Sequence, residues 1–94
     1  MTIGESGQDR LILYMRDWCG YCSMVRHAAR NLGLALEERN IWDNTQWQND
    51  LIQARGRATV PVLLRQSANG KSEWMGESRD IIQYLAHYRE TLES

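Results

Sequence analysis

Two cysteines spaced C-x-x-C, set between a buried strand and a helix, constrain this chain more than any other feature. Leu11-Ile12-Leu13-Tyr14-Met15 is short and continuously apolar, as a central strand covered on both faces must be. Arg16-Asp17-Trp18-Cys19-Gly20-Tyr21 breaks the run and reads as a loop. Helical spacing then takes over: Cys22, Val25, Ala29 and Leu32 share one face, with Arg26, His27 and Arg30 on the other. Gly33 is a natural stop.

This placement puts Cys19 at the helix N-terminus, exposed, where unpaired N–H groups and the helix dipole favour a thiolate. Arg16, three residues earlier, adds positive charge; Asp17 opposes it from a solvated position. Cys22 lies about one turn inside and is less accessible. Cys19 is therefore expected to attack and Cys22 to resolve. A free thiol of pKa near 8.5 is only about 3% thiolate at pH 7. Lowering the pKa raises that fraction but reduces nucleophilicity by a comparable factor, so the larger gain is in leaving from a mixed disulfide. Two other readings of the pair stand beside this one. Half of a zinc site would need further ligands, and His27 and His87 are the only histidines. Two plain core cysteines are the other.

The 94 residues suit one domain, and 43% apolar content suits one core. A net charge of −1 lacks the basic footprint of a nucleic-acid or anionic-membrane partner. No apolar run approaches the roughly 18–20 residues of a membrane span. Residues 1–9 read as a loose tail without a signal-peptide core, so the expected location is cytoplasmic. A close cysteine pair in a reducing compartment indicates redox or metal chemistry rather than a structural staple.

Downstream, residues 35–41 form a weaker candidate strand. Asp43 with Gln46 resembles a capping box opening a helix with Trp47, Leu51 and Ala54 on one face and Gly56 at its end. Val62-Leu63-Leu64 reads as a buried strand, and Asn69-Gly70 as a hairpin turn into Ser72–Met75. Ser78 is a good N-cap for a last helix with Ile81, Ile82, Leu85, Tyr88 and Leu92 as its stripe. The order β-α-β-α-β-β-α predicts an α/β domain with a four-stranded mixed sheet flanked by three helices, its first two strands parallel across a right-handed connection. Trp42, Trp47 and Trp74 are expected to serve packing, Arg79 and Asp80 to be solvated, and Met24 to lie at the surface near the cysteines.

Across residues 10–92 the chain resembles the glutaredoxin family. The residues that carry the likeness are Cys19-Gly20-Tyr21-Cys22, then Thr59-Val60-Pro61, then Met75-Gly76-Glu77-Ser78-Arg79-Asp80-Ile81. The resemblance implies a thioredoxin-like fold, catalytic Cys19 and Cys22, and glutathione as co-substrate without a tightly bound cofactor or metal. It implies that Arg16 meets the glycine carboxylate of glutathione and that Tyr21 flanks the tripeptide. Pro61 would be cis, with Val60 beside Thr59 pairing its backbone with the cysteinyl part. Glu77 and Ser78 would take the γ-glutamyl end. Gln48 stands where the family often has a glutathione-contacting Gln. Arg55 and Arg57, near Thr59, can attract the carboxylates, although a solvated helix end also explains Arg55.

The chain departs from the family at Gly20, usually proline, at Glu77, usually glycine, and at Arg79, usually Asp or Ser. The Glu77-Ser78 pair with Ile81-Ile82 and Tyr84-Leu85 looks more like the thioredoxin-like domain of glutathione transferases. Trp18 is a thioredoxin and mycoredoxin trait. The implied activity is monomeric, glutathione-dependent reduction of glutathionylated and disulfide-containing proteins. A redoxin served by thioredoxin reductase is the first alternative. An iron–sulfur carrier dimer using Cys19 and glutathione is the second.

Overall fold

The computed structural model describes residues 9–92. Four strands run β1 (Arg10–Met15), β2 (Glu37–Asn40), β3 (Val62–Gln66) and β4 (Ser72–Met75), and three helices α1 (Gly20–Asn31), α2 (Thr45–Arg55) and α3 (Ser78–Leu92). The element order is the one the sequence predicts. The sheet order is β2-β1-β3-β4, with β1 and β2 parallel and the other pairs antiparallel.

β1 divides the interior in two. Its residues alternate across the sheet. Leu11, Leu13 and Met15 join Leu63, the α1 residues Cys22, Val25 and Ala29, and Ile81 and Leu85 of α3. Ile12 and Tyr14 join Val62, Leu64, Ile41 and Leu51 of α2. Both faces of β1 are thus covered, which explains its unbroken apolar run. β2 is an edge strand of Glu, Glu, Arg and Asn. Such polar edges resist pairing with other chains, and they also weaken the strand signal in the sequence. Arg39 of β2 reaches inward to the Tyr14 hydroxyl at 2.8 Å, between the rings of Tyr14 and Trp47.

Local signals set the helix ends. α1 stops at Leu32; Gly33 takes a positive φ of 73°, Gly33 N–H bonds Arg30 O at 3.0 Å and Leu34 N–H bonds Ala29 O at 2.9 Å. That pairing satisfies the last carbonyls and needs a residue free of Cβ at the left-handed position. α2 is capped by Asn44, whose Oδ1 accepts from Trp47 N–H at 3.1 Å, and not by Asp43. Gln46 donates to Asp50 instead of reaching back. α3 begins one residue before the expected position: Glu77 O accepts the first helical bond, from Ile81 N–H at 2.8 Å, so Glu77 and not Ser78 holds the cap position.

Other details differ from expectation. Ala54 and Leu92 face solvent, while Tyr84 joins the core periphery. Trp42 is 54% exposed, with Trp47 and Trp74 left to pack. The tail expected for residues 1–9 falls outside the described residues up to residue 8. Asp9 is tied down, its Oδ2 3.0 Å from Arg65 Nε. Among the described residues no helix is long and apolar enough to cross a membrane.

Leu51 is the one fully covered anchor of α2, whereas its neighbour Ile52 is 41% exposed. Leu51→Ala should cost about 2–4 kcal/mol of stability in urea unfolding. Ile52→Ala should cost less than about 1 kcal/mol. Equal losses would mean that α2 is not held to the sheet through Leu51.

Candidate active site at the cysteine pair

The chain leaves β1 at Met15 and enters α1 through Arg16, Asp17 and Trp18. Cys19 is the helix cap, with extended backbone at φ −113° and ψ 106°. Its Sγ accepts a hydrogen bond from Cys22 N–H at 3.1 Å. A serine or aspartate oxygen usually holds this place; here sulfur does, at the positive end of the helix. Cys19 and Cys22 are joined in a disulfide, their Cα atoms 5.2 Å apart. Cys19 is 9% exposed and Cys22 1%. The order is as the sequence predicts, but Cys19 is more covered than expected. Bonded to a buried partner, it packs at the end of the core that Met15 and Val25 share.

The entry loop is braced from outside. Arg16 Nη1 donates to Asp17 O at 2.8 Å and Trp18 O at 3.3 Å, and the guanidinium stands 5.3 Å from the Trp42 ring. Asn40 Nδ2 donates to Asp17 Oδ1 at 3.0 Å, and Asn40 Oδ1 accepts from Trp42 N–H at 2.9 Å. These ties hold Trp18 at φ 59°, the only non-glycine positive φ among the described residues, with the side chain 91% exposed.

Tyr21, between the two cysteines in sequence, borders an open cleft of about 670 Å³. Tyr21, Thr59, Val60 and Pro61 line one side, and Gly76, Glu77, Ser78, Arg79 and Asp80 the other. The Val60–Pro61 bond is cis, as the family resemblance implied. Val60 also packs against the core cluster that contains both cysteines. Six of the seven expected binding positions therefore share one surface. Arg16 does not: it lines a second hollow of about 420 Å³ together with Cys19, Trp18 and Arg26. Gln48 lines neither. Gly76, Arg79 and Asp80 border the cleft although sequence reasoning assigned them no site role. Their position straight after β4 was the signal that could have placed them there. Among the described residues no group of three or more His, Cys, Asp or Glu could hold a metal ion.

A family model, Glutaredoxin, matches residues 11–68. The chain belongs to the glutaredoxin family. This is a family of glutathione-related thiol oxidoreductases, and the fold is thioredoxin-like. A buckwheat glutaredoxin–glutathione complex is 28% identical over 58% of this chain and 53% of that one, with a TM-score of 0.51. A trimeric glutathione transferase from Leishmania is 29% identical over 80% of this glutaredoxin and 17% of its own length, at 0.66. Maleylacetoacetate isomerase from Anaeromyxobacter dehalogenans, with GSH bound in its active site, shares the fold at 0.67 with 23% identity, over 89% of this chain. The glutaredoxin spans 39% of that isomerase's length. No curated protein sequence matches it.

A left-handed backbone costs an ordinary residue roughly 1–2 kcal/mol, and asparagine less. Because the Trp18 side chain buries little, Trp18→Asn should leave stability unchanged or raise it by up to about 1 kcal/mol. Thermal unfolding checks this; a clear loss would mean that the exposed indole supports the fold.

Proposed function

We propose that this glutaredoxin is a glutathione-dependent thiol–disulfide oxidoreductase acting on protein–glutathione mixed disulfides. The observation that carries the reading is the Cys19 sulfur at the N-terminus of α1, with Tyr21 of the same helical turn lining a cleft that the Thr59-Val60-Pro61 loop and the start of α3 complete. The Cys19 thiolate attacks the glutathionyl sulfur. The protein thiolate leaves, takes up a proton, and Cys19 carries the glutathionyl group as a mixed disulfide. A second glutathione thiolate attacks that same glutathionyl sulfur, forming glutathione disulfide and returning the Cys19 thiolate. Alternatively the Cys22 thiolate attacks the Cys19 sulfur, expels glutathione and closes the Cys19–Cys22 disulfide, which two glutathiones reopen.

The helix end stabilises charge on Cys19 both as attacking and as leaving group. Burial gives Cys22 the slower, internal role. In this reading the backbone of Val60 pairs with the cysteinyl residue, Tyr21 flanks it, and Glu77 and Ser78 receive the γ-glutamyl end; all four residues line the cleft. Glutathione-bound structures of the same fold support glutathione as the ligand. Arg16 serves the glycine carboxylate only if its guanidinium leaves the carbonyls of Asp17 and Trp18. We place the protein in a reducing compartment, the cytoplasm, as a monomer, because the exchange runs on reduced glutathione.

The test is turnover of a glutathionylated peptide with glutathione, glutathione reductase and NADPH. Wild type should turn over and Cys19→Ser should fall to background. Cys22→Ser should keep turnover of the peptide, which needs one thiol, but lose reduction of an intramolecular protein disulfide. Equal rates for wild type and Cys19→Ser would reject the proposal. Turnover with thioredoxin reductase and none with glutathione would reassign the electron donor.

A further inference from the structure

Arg55 is the last residue of α2, and its side chain lies across Gly76, a residue that lines the cleft. A Cβ on Gly76 would run into the guanidinium, whose Cζ would stand only 3.1 Å away; the nearest atoms are all from the Arg55 side chain. The glycine is therefore what lets this cation lie against the cleft wall. Among the described residues Arg55 makes no hydrogen bond or ion pair, and it is exposed. A cation in the last turn of a helix suits the dipole, but the dipole does not account for its lying over a glycine of the next motif.

Glu77, next to Gly76 in sequence, and Asp80 also line the cleft. A cation and carboxylates side by side match an α-amino-acid head group, which presents one carboxylate and one ammonium. We infer that Arg55 is a specificity-determining residue, its guanidinium binding the α-carboxylate of a γ-glutamyl group while Glu77 meets the ammonium. The inference rests on the glutathione reading above and deepens it. It assigns the carboxylate to a residue outside the Glu77-Ser78 motif, and it gives Gly76 a function: the absence of a side chain.

Three mixed disulfides of one peptide test it, carrying glutathione, γ-glutamylcysteine or cysteinylglycine. The readout is the ratio of kcat/KM for each γ-glutamyl substrate to that for cysteinylglycine. A lost charge-assisted hydrogen bond predicts that Arg55→Gln lowers both ratios about tenfold, through KM. Arg55→Lys, which keeps the charge, should lose much less. Gly76→Ala, which displaces the guanidinium but leaves it on the chain, should lower the ratios in wild type and add little in the Arg55→Gln background. If wild type turns over none of the three, the glutathione reading falls and this inference with it. If wild type is active but the ratios do not move in Arg55→Gln, this inference alone falls. A loss that follows the glycine residue rather than the γ-glutamyl group also overturns it.

Discussion

β1 is the element on which the rest depends. It is a central strand, parallel to β2 and antiparallel to β3, and its five apolar residues belong alternately to the two halves of the core. Each such residue contributes roughly 1.5–3 kcal/mol on burial, so the strand cannot slip by one residue without exchanging both faces at once. That fixed register sets the exact exit of the chain at Met15. Four residues later Cys19 caps the start of α1, and α1 is itself fixed to the same face of β1 through Cys22, Val25 and Ala29. The position of the reactive sulfur is thus a consequence of core packing, with little left to the loop.

The loop still has to bridge the two. Trp18 adopts a left-handed backbone that costs roughly 1–2 kcal/mol. Against this stand the Arg16 bonds to two carbonyls, the Asn40–Asp17 bond and the stacking of Arg16 on Trp42. Exposed hydrogen bonds contribute about 0.5–1.5 kcal/mol each, and an exposed cation–π contact about 0.5–1. Together they offset the cost, so the bent loop is held without help from a ligand. The same arrangement takes Arg16 away from the cleft. Where the family resemblance gives that residue to a ligand, the structure has it bracing the backbone next to Cys19.

The parts of this picture that were legible in the sequence are those fixed by short-range chemistry. The apolar run of β1, the period of α1, the Asn69-Gly70 turn and the start of α3 after Gly76 all announce themselves locally. Errors fell where two local signals compete or where tertiary contacts decide. Asp43 and Asn44 are both good caps, and only the bond to Trp47 N–H separates them. Trp42 reads as core by residue type but was left outside, because its loop is turned toward Arg16. Arg79 and Asp80 look like an ordinary solvated helix start, and only the approach of the Thr59–Pro61 loop makes their surface a cleft wall. The contact of Arg55 with Gly76 joins residues 21 apart in sequence, on a helix end and a strand exit that no periodicity relates.

The coverage of Cys19 bears on how the site divides its labour. In the disulfide, its sulfur is mostly hidden and the accessible features are Trp18, Tyr21 and the cleft. The N–H of Cys22 points at the Cys19 sulfur as the donor of a helix cap. A donor fixed in this way stabilises negative charge on Cys19 whenever it appears, without reorganisation. It gives no such help to Cys22, which lies one turn further in among Val25 and Ala29. The asymmetry between two identical side chains comes from their positions in α1: one caps the helix and accepts its N–H, the other is buried a turn further in.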